Sequence, residues 1–301
     1  MAKLVSFSDK TGRNGAGWLT DDDQNIDVIA YDQPVGTSAM RRLLETGPDQ
    51  VTPVGETLSV DDVSLLPPVP DPSKIVAAPV NYRDHQSEMS QDAHISSLGV
   101  FLKAPSSLLA PGGTVRLPYT DRRFDQEGEL AVVIGRACSN VGADEAADYV
   151  AGYTCLLDMT MRGGEDRSVR KSFDTFTPVG PAIVLPEKTG DLDTLRLRTW
   201  VNGSLRQDAD LRDLIWGVPA LIAYVSSVMK LLPGDIIATG TPAGVGAVED
   251  GDEIKVSISG LGTLSVTVSR EGAVACPTLG AGRGPTPPAI VTPVRQRTTN
   301  G

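Results

Sequence analysis

Two glutamates at the start of an apolar run are the first residues in this chain whose types and spacing suggest chemistry. Glu127 and Glu129 directly precede residues 130–134, a short β-branched run that ends at Gly135. Such a run predicts a buried strand. Because alternate residues of a strand point to the same side, the two carboxylates are expected to share one face.

A third carboxylate, that of Asp158, follows a second apolar run about thirty residues later. Like charges brought together repel, and none is easily buried alone, so a divalent cation would compensate them. A set of oxygen ligands without a nearby His or Cys favours Mg²⁺ or Mn²⁺ over zinc. The alternative is a solvated strand start, since Glu-x-Glu alone is a weak motif.

One of the two histidines of the chain, His85, stands three residues before Glu88, just after a predicted strand. If this segment is helical, the two side chains lie on one face within contact range. A carboxylate beside an imidazole orients it and raises its basicity, as a general base requires. A solvated polar helix start is the alternative interpretation.

Two further segments could bring polar groups to the same place. Residues 158–174 combine Gly163-Gly164 with mixed charges and predict a loop, from which Arg162 and Lys171 could approach the carboxylates. An exposed run of charged residues on the surface would have the same sequence pattern.

The glycine-rich turn at 239–246 lacks the Gly-Lys-Ser/Thr of a phosphate loop. Its backbone amides and hydroxyls could still hold a carboxylate.

The elements that must position these residues form a second, larger unit. Residues 1–66 predict a small N-terminal α+β domain, with short strands and a helix that Ser38 caps and Gly47 ends. The proline-rich residues 67–72 predict a linker, because they fit neither a helix nor a central strand. Residues 73–276 then hold the candidate chemistry. Residues 277–301, rich in Pro, Gly, Thr and Arg, predict a disordered and dispensable tail.

Composition narrows the possible partners. The formal net charge of −11 opposes nucleic acid and anionic membranes, although local cations could still admit an anionic substrate. No apolar run approaches the ~20 residues of a membrane span, and no signal peptide is recognised. Three scattered cysteines without a Cys-x-x-Cys pair favour a reducing cytosol over a disulfide framework. We therefore expect a cytoplasmic protein.

Five separated segments together resemble the fumarylacetoacetate hydrolase family, over roughly residues 73–275. They are Asn81-Tyr-Arg-Asp-His85, Phe101-Leu-Lys-Ala-Pro-Ser, Glu127-Gly-Glu129-Leu-Ala-Val-Val-Ile-Gly, Lys171-Ser-Phe-Asp-Thr-Phe and Pro233-Gly-Asp-Ile-Ile-Ala-Thr-Gly-Thr-Pro, in family order. The resemblance implies an α+β fold with a mixed β-roll core and short peripheral helices, usually dimeric. It also implies Mg²⁺ or Mn²⁺ on Glu127, Glu129 and Asp158, and a His85–Glu88 pair under a lid that closes on substrate.

Two departures from the family pattern fall near the expected substrate pocket. The family often has Arg-Asp-x-Gln after the metal-binding Asp, where this chain has Arg162-Gly-Gly-Glu165. Pro79-Val80 replaces the usual Gly-Leu before Asn-Tyr. We assign substrate contacts to Arg162, Glu165, Gly240 and Thr241. The two departures favour a substrate that differs from the familiar ones of the family.

The implied reaction is hydrolysis of a carbon–carbon bond in a 2,4-dioxo acid, an acylpyruvate, through a metal-bound enolate. His85, polarised by Glu88, would activate water, and Lys171 would stabilise the oxyanion or the enolate. The same residues could decarboxylate a 2-oxo diacid such as oxaloacetate, or isomerise or hydrate an unsaturated 2-oxo diacid of aromatic catabolism. A non-catalytic member that keeps the fold is the alternative from another class. The chain retains His85, Glu88, Lys171 and all three carboxylates together, which opposes a non-catalytic role.

Overall fold

The computed structural model describes residues 3–289, 291, 292 and 294. Over these residues the chain folds into a twelve-stranded mixed sheet, a five-stranded sheet and a three-stranded sheet, with short helices around them. This arrangement confirms the predicted α+β class. In the described part of the chain no helix has the length and apolar character that crossing a membrane requires.

The strands run in chain order as follows: β1 (Lys3–Asp9), β2 (Asn14–Leu19), β3 (Asn25–Tyr31), β4 (Thr57–Ser59), β5 (Val63–Leu65), β6 (Ile75–Ala77), β7 (Phe101–Lys103), β8 (Leu108–Leu109), β9 (Thr114–Arg116), β10 (Phe124–Gln126), β11 (Gly128–Ile134), β12 (Val150–Leu157), β13 (Thr160–Met161), β14 (Thr177–Val184), β15 (Arg196–Val201), β16 (Ser204–Asp210), β17 (Ile236–Ala238), β18 (Gly246–Ala247), β19 (Glu253–Ile258) and β20 (Gly262–Ser269).

The α-helices are α1 (Ala39–Thr46), α2 (Arg83–Glu88), α3 (Ile95–Leu98), α4 (Arg167–Lys171), α5 (Pro186–Thr189) and α6 (Val218–Val228). Single 3₁₀ turns occupy Pro48–Gln50, Val60–Asp62, Pro105–Ser107, Ala146–Tyr149, Leu192–Thr194 and Leu211–Asp213.

Strand β11, which follows Glu127, lies in the middle of the large sheet. The order of this sheet is β4-β3-β2-β1-β14-β12-β11-β17-β6-β7, with β5 on β1 and β8 on β14. All seven residues of β11 are buried. A strand covered on both faces needs a continuous apolar run, and residues 130–134 supply it. The predicted strand is thus confirmed, and its start carries the two glutamates into the core.

The N-terminal residues extend the same sheet. Strand β1 pairs with β14, with Leu4 opposite Ile183. Leu4 and Trp18 pack in one apolar cluster with Val133 and Ile183. The predicted linker at 67–72 is irregular, and it is held to the N-terminal strands by a 2.8 Å bond from the Ser6 hydroxyl to the Pro68 carbonyl. That residues 1–66 fold as a separate domain stays a prediction.

The five-stranded sheet covers the site end of β11. Its order is β16-β15-β19-β20-β9, and it contains the hairpin β15–β16, which turns at Asn202-Gly203, and the hairpin β19–β20. Its apolar side packs on β11, where Leu130 and Val132 share a cluster with Leu197 and Val256.

Residues 277–289 are the described start of the tail that composition predicts to be disordered. Residues 277–289 contain no helix or strand, yet they lie against the body of the protein. The Arg122 guanidinium donates a 2.6 Å bond to the Thr278 hydroxyl, and the Gly164 amide donates a 3.0 Å bond to the Gly280 carbonyl. These polar contacts replace the apolar anchors that the tail lacks. Residues 290, 293 and 295–301 lie outside the described residues.

Candidate active site

The three carboxylates converge at the buried start of β11. Oxygen atoms of Glu127, Glu129 and Asp158 all lie within 4.8 Å of one another, and the three residues are buried. Strand alternation places Glu127 and Glu129 on one face, and the turn after β12 brings Asp158 to them. The Asp158 amide donates a 2.8 Å bond to the Glu127 carbonyl, which fixes this approach.

Gly128 explains why the motif is Glu-Gly-Glu. It points to the opposite face, where a Cβ would stand 2.2 Å from the Thr199 hydroxyl. The Gly128 amide donates a 2.8 Å bond to the side-chain oxygen of Gln207. The two glutamates can therefore face the site only if the residue between them has no side chain.

Four cationic side chains surround the carboxylates. Lys171 donates a 2.6 Å bond to Oε2 of Glu127 and also binds Oδ2 of Asp158, while Arg162 donates a 2.7 Å bond to Oε1 of Glu127. Arg170 faces the same space, and its guanidinium donates hydrogen bonds to the backbone carbonyls of Glu165 and Met161. The fourth cation, Lys103, binds Oδ1 of Asp158 and is fully buried. The predicted approach of Arg162 and Lys171 is found.

Burial and these charges shift the pKa values of the site in opposite directions. Burial opposes ionisation of Glu127, but Lys171 and Arg162 outweigh it and hold its pKa below the usual range. For Glu129, burial and the neighbouring Asp158 carboxylate raise the pKa well above the usual range. Burial also works against the charge of Lys171, yet the surrounding carboxylates prevail and raise its pKa. Glu129 is thus the carboxylate whose charge is least compensated.

His85 and Glu88 form the predicted pair. Both lie on α2, and Nδ1 of His85 is 3.0 Å from Oε2 of Glu88. The Glu88 side chain is fully buried, and its Oε1 accepts bonds from the Gly244 amide at 2.9 Å and the Thr292 hydroxyl at 2.6 Å. Burial would raise the pKa of Glu88, but the bonds from His85, Thr292 and Gly244 together lower it. The ionised carboxylate can only accept, so it fixes Nδ1–H as the donor and leaves Nε2 as the basic nitrogen.

The glycine-rich turn contacts the carboxylates, although differently from the prediction. The Gly240 amide donates a 2.7 Å bond to Oε2 of Glu129, so this amide holds a carboxylate of the protein. Gly240 has a φ of 98°, and a Cβ there would stand 2.7 Å from that of Asn81. Thr241 lines the cavity, but its hydroxyl already donates to the Gly128 carbonyl and accepts from Gln207.

A cavity of about 50 Å³ opens between these groups. The residues that line it include His85, all three carboxylates, Arg162, Arg167, Arg170, Lys171, Thr241 and Pro285. Glu165 is not among them. Its carboxylate instead binds Arg122 at 2.5 Å and the Thr278 hydroxyl, on the far side of the loop. The predicted substrate contact of Glu165 is therefore not supported, because its charge is already paired elsewhere.

Sequence reasoning assigned no role to several buried polar residues. Lys103 was visible only as part of a family motif, and Asp125 sits two residues before Glu127. Arg162 donates a 2.5 Å bond to Asp125, which orients the guanidinium towards Glu127. Gln207 joins Gly128 to Thr241 through its amide. The available signal for Lys103 was a charged residue in an apolar strand segment.

A mixed α+β fold, with three buried carboxylates, a lysine and the imidazole of a His–Glu pair lining one cavity, defines an enzyme of the divalent-metal type. The family model described as fumarylacetoacetate (FAA) hydrolase C-terminal matches residues 74–269. The chain belongs to the fumarylacetoacetate hydrolase family.

Two relatives and one solved structure are similar to this chain over most of its length. The maleylpyruvate hydrolase of Aquipseudomonas alcaligenes is 44% identical over 218 residues, covering 69% of this chain and 76% of that protein. A bifunctional isomerase/decarboxylase of 4-hydroxyphenylacetate degradation from Escherichia coli is 42% identical over 231 residues, covering 75% of this chain and 54% of that protein. The crystal structure of maleylpyruvate hydrolase from Sphingobium sp. SYK-6 with manganese(II) and pyruvate has a TM-score of 0.75 and 38% identity, covering 89% of this chain and 99% of that one.

Proposed function

We propose that this protein hydrolyses a carbon–carbon bond in a 2,4-dioxo acid of the acylpyruvate type, with Mg²⁺ or Mn²⁺ as cofactor. The observation that carries the proposal is the shared cavity: the basic nitrogen of an oriented imidazole and a buried lysine face the same space as three carboxylates. The names of the hydrolase relatives support it.

Glu127, Glu129 and Asp158 would hold the metal ion. The donor set fits a hard divalent cation, because it consists of carboxylate oxygens gathered within 4.8 Å. The electrostatics also fit, since Glu129, the least compensated of the three carboxylates, would gain a cationic partner. When bound, the ion supplies Lewis acidity towards the 2-oxo acid end of a substrate.

The chain itself would move the proton. Nε2 of His85 takes a proton from water, while the Glu88 carboxylate stabilises the resulting imidazolium through Nδ1–H. The hydroxide attacks C4 of the substrate, and the C3–C4 bond breaks. The proton on Nε2 then returns to C3, so the products are pyruvate and a carboxylic acid. The Lys171 ammonium stabilises the negative charge that develops on oxygen during these steps.

The cationic part of the cavity wall suits an anion. Arg162 and Arg170 are buried cations in its wall, and Arg167 lies at its edge. We propose a small anionic 2-oxo acid as the substrate, with Arg162 and Thr241 among its contacts. We further propose a β-roll core, a homodimer, a cytoplasmic location and a role in aromatic catabolism, all of which the family resemblance and composition favour.

Decarboxylation of an oxaloacetate-like acid, or isomerisation of an unsaturated 2-oxo diacid, is the second candidate. The 42% identity to the bifunctional isomerase/decarboxylase favours it. The test is a substrate panel with metal-stripped protein before and after addition of Mg²⁺ or Mn²⁺. Pyruvate released from acylpyruvates, and only with metal, supports the hydrolase. Turnover of oxaloacetate or unsaturated diacids, without turnover of acylpyruvates, would favour the second candidate over the hydrolase.

A further inference from the structure

The C-terminal segment formed by residues 278–289, 291 and 292 reaches the candidate catalytic pair from outside the family region. The family match ends at residue 269. Beyond it, Thr278 is bonded to Arg122, and the Pro287 carbonyl accepts a bond of 3.5 Å from Arg123. These bonds hold residues 278–287 against the body of the protein.

The segment closes one side of the cavity. Pro285 lines it together with His85 and Lys171. A volume of about 50 Å³ has room for roughly four water molecules, fewer atoms than an acylpyruvate contains. The C-terminal segment therefore shapes the space that a substrate would occupy.

Thr292 makes the contact with the greatest chemical consequence. Its hydroxyl donates a 2.6 Å bond to Oε1 of Glu88, the carboxylate that orients His85. The Glu88 side chain is fully buried, and only the Gly244 amide and Thr292 bond to Oε1 in the described part of the chain. Hydrogen bonds to buried charged groups are stronger than neutral ones, and loss of one exposes the desolvation cost.

We propose that the C-terminal segment is part of the active site and that Thr292 is a positioning residue for the His85–Glu88 pair. The effect of Thr292 on catalysis rests on the proposed function. Its effect on the orientation of Glu88 and His85 does not depend on that function. This role also replaces the expectation that the tail is dispensable. Thr292 holds Glu88 at the oxygen opposite His85, so the imidazole keeps the orientation that presents Nε2 to the cavity.

Two variants separate the hydroxyl from the side-chain shape. Thr292→Val keeps the size and loses the donor, while Thr292→Ser keeps the donor. For the holoenzyme with Mn²⁺ and an acylpyruvate, we expect Thr292→Val to lower kcat about tenfold with KM within about twofold. Thr292→Ser should recover most of the lost rate. A kcat within twofold of wild type in Thr292→Val would overturn the proposal.

A second readout does not need activity. The chain has only two histidines, so selective ¹⁵N-histidine labelling yields ring signals from His85 and His94 alone. Thr292→Val should shift the ring signals of His85 and leave those of His94 in place as an internal control. Unchanged His85 signals would refute the positioning role. If wild-type protein hydrolyses nothing in the panel, the proposed function fails, and this spectrum still decides the role of Thr292.

Discussion

The backbone amide of Gly240 donates a 2.7 Å hydrogen bond to Oε2 of Glu129, and no cationic side chain bonds to this carboxylate among the described residues. One amide compensates a buried negative charge only in part. Burial and the Asp158 carboxylate therefore raise the pKa of Glu129 far above its usual range. A bound divalent ion would favour the ionised form instead, which couples metal binding to a proton.

Metal binding should consequently release protons and strengthen as pH rises. Calorimetric titration of Mn²⁺ in buffers with different ionisation enthalpies measures this release. Since the pKa of Glu129 is raised on folding, its contribution to the stability of the metal-free protein is present at low pH. That contribution is lost as pH rises above the ordinary carboxyl value. The thermal shift produced by Mn²⁺ should grow over the same range.

Glu129→Ala should abolish metal binding and activity while the fold survives. Undiminished Mn²⁺ affinity in this variant would refute the assignment of Glu129 as a metal ligand.

Substitution of the proposed base should separate two chemistries. Hydrolysis requires activated water, whereas decarboxylation needs only stabilisation of the developing negative charge on oxygen. His85→Ala should lower acylpyruvate hydrolysis by about 10²-fold or more, with a much smaller loss in any oxaloacetate decarboxylation. Parallel assays on one protein preparation give the ratio of the acylpyruvate hydrolysis rate to the oxaloacetate decarboxylation rate. Near wild-type rates for both reactions would show that the pair with Glu88 is structural.

The buried Lys103 should matter for stability. It is bonded to Oδ1 of Asp158 and to the Phe176 carbonyl, with almost no exposure. Lys103→Met fills a similar volume but removes the partner of Oδ1, so the buried Asp158 carboxylate keeps Lys171 alone. Breaking a buried ion pair costs up to about 3–5 kcal/mol. We expect a clear fall in the denaturant midpoint of unfolding. The exposed Lys10→Met is the matched control and should change it little, because the Lys10–Asp62 pair is solvated. Equal stability of the two variants would contradict this prediction.

The loop carboxylate Glu165 should give a pH-dependent stabilisation. Burial opposes its charge, but the Thr278 hydroxyl and Arg122 outweigh burial and lower its pKa to about 2. The ionised form is therefore favoured in the folded state, so the stabilisation is complete above the ordinary pKa of 4.5 and lost as pH falls towards 2. The melting temperature of wild type should exceed that of Glu165→Gln at pH 7, and the gap should narrow below about pH 4.5. A gap that is constant with pH would exclude this role.

The sequence predicted those parts of the site that depend on local periodicity. Strand alternation was enough to place Glu127 and Glu129 on one face, and helical spacing was enough for His85 and Glu88. Lys103 could not be assigned in this way, because its partner Asp158 is 55 residues away and only the folded sheet brings them together. The same reason applies to Thr292, which is separated from Glu88 by 204 residues. Composition described the tail as polar, but polar contacts of this kind leave no periodic pattern.

Arg170 should determine whether substrates with a second carboxylate are preferred. Its guanidinium is buried in the cavity wall, and in the described part of the chain its hydrogen bonds go to two backbone carbonyls. Burial and the nearby charge of Arg162 lower its pKa, as expected for a cation whose partner is missing. An anionic group on the acyl end of the substrate would supply that partner and could bind through two parallel hydrogen bonds. Arg170→Met should therefore raise KM for an acylpyruvate that ends in a carboxylate by about tenfold or more, while KM for acetylpyruvate changes little. Acetylpyruvate is the internal control for folding and metal loading in the same preparation. An equal rise in KM for both substrates would show that Arg170 supports the loop and does not bind the carboxylate at the acyl end of the substrate.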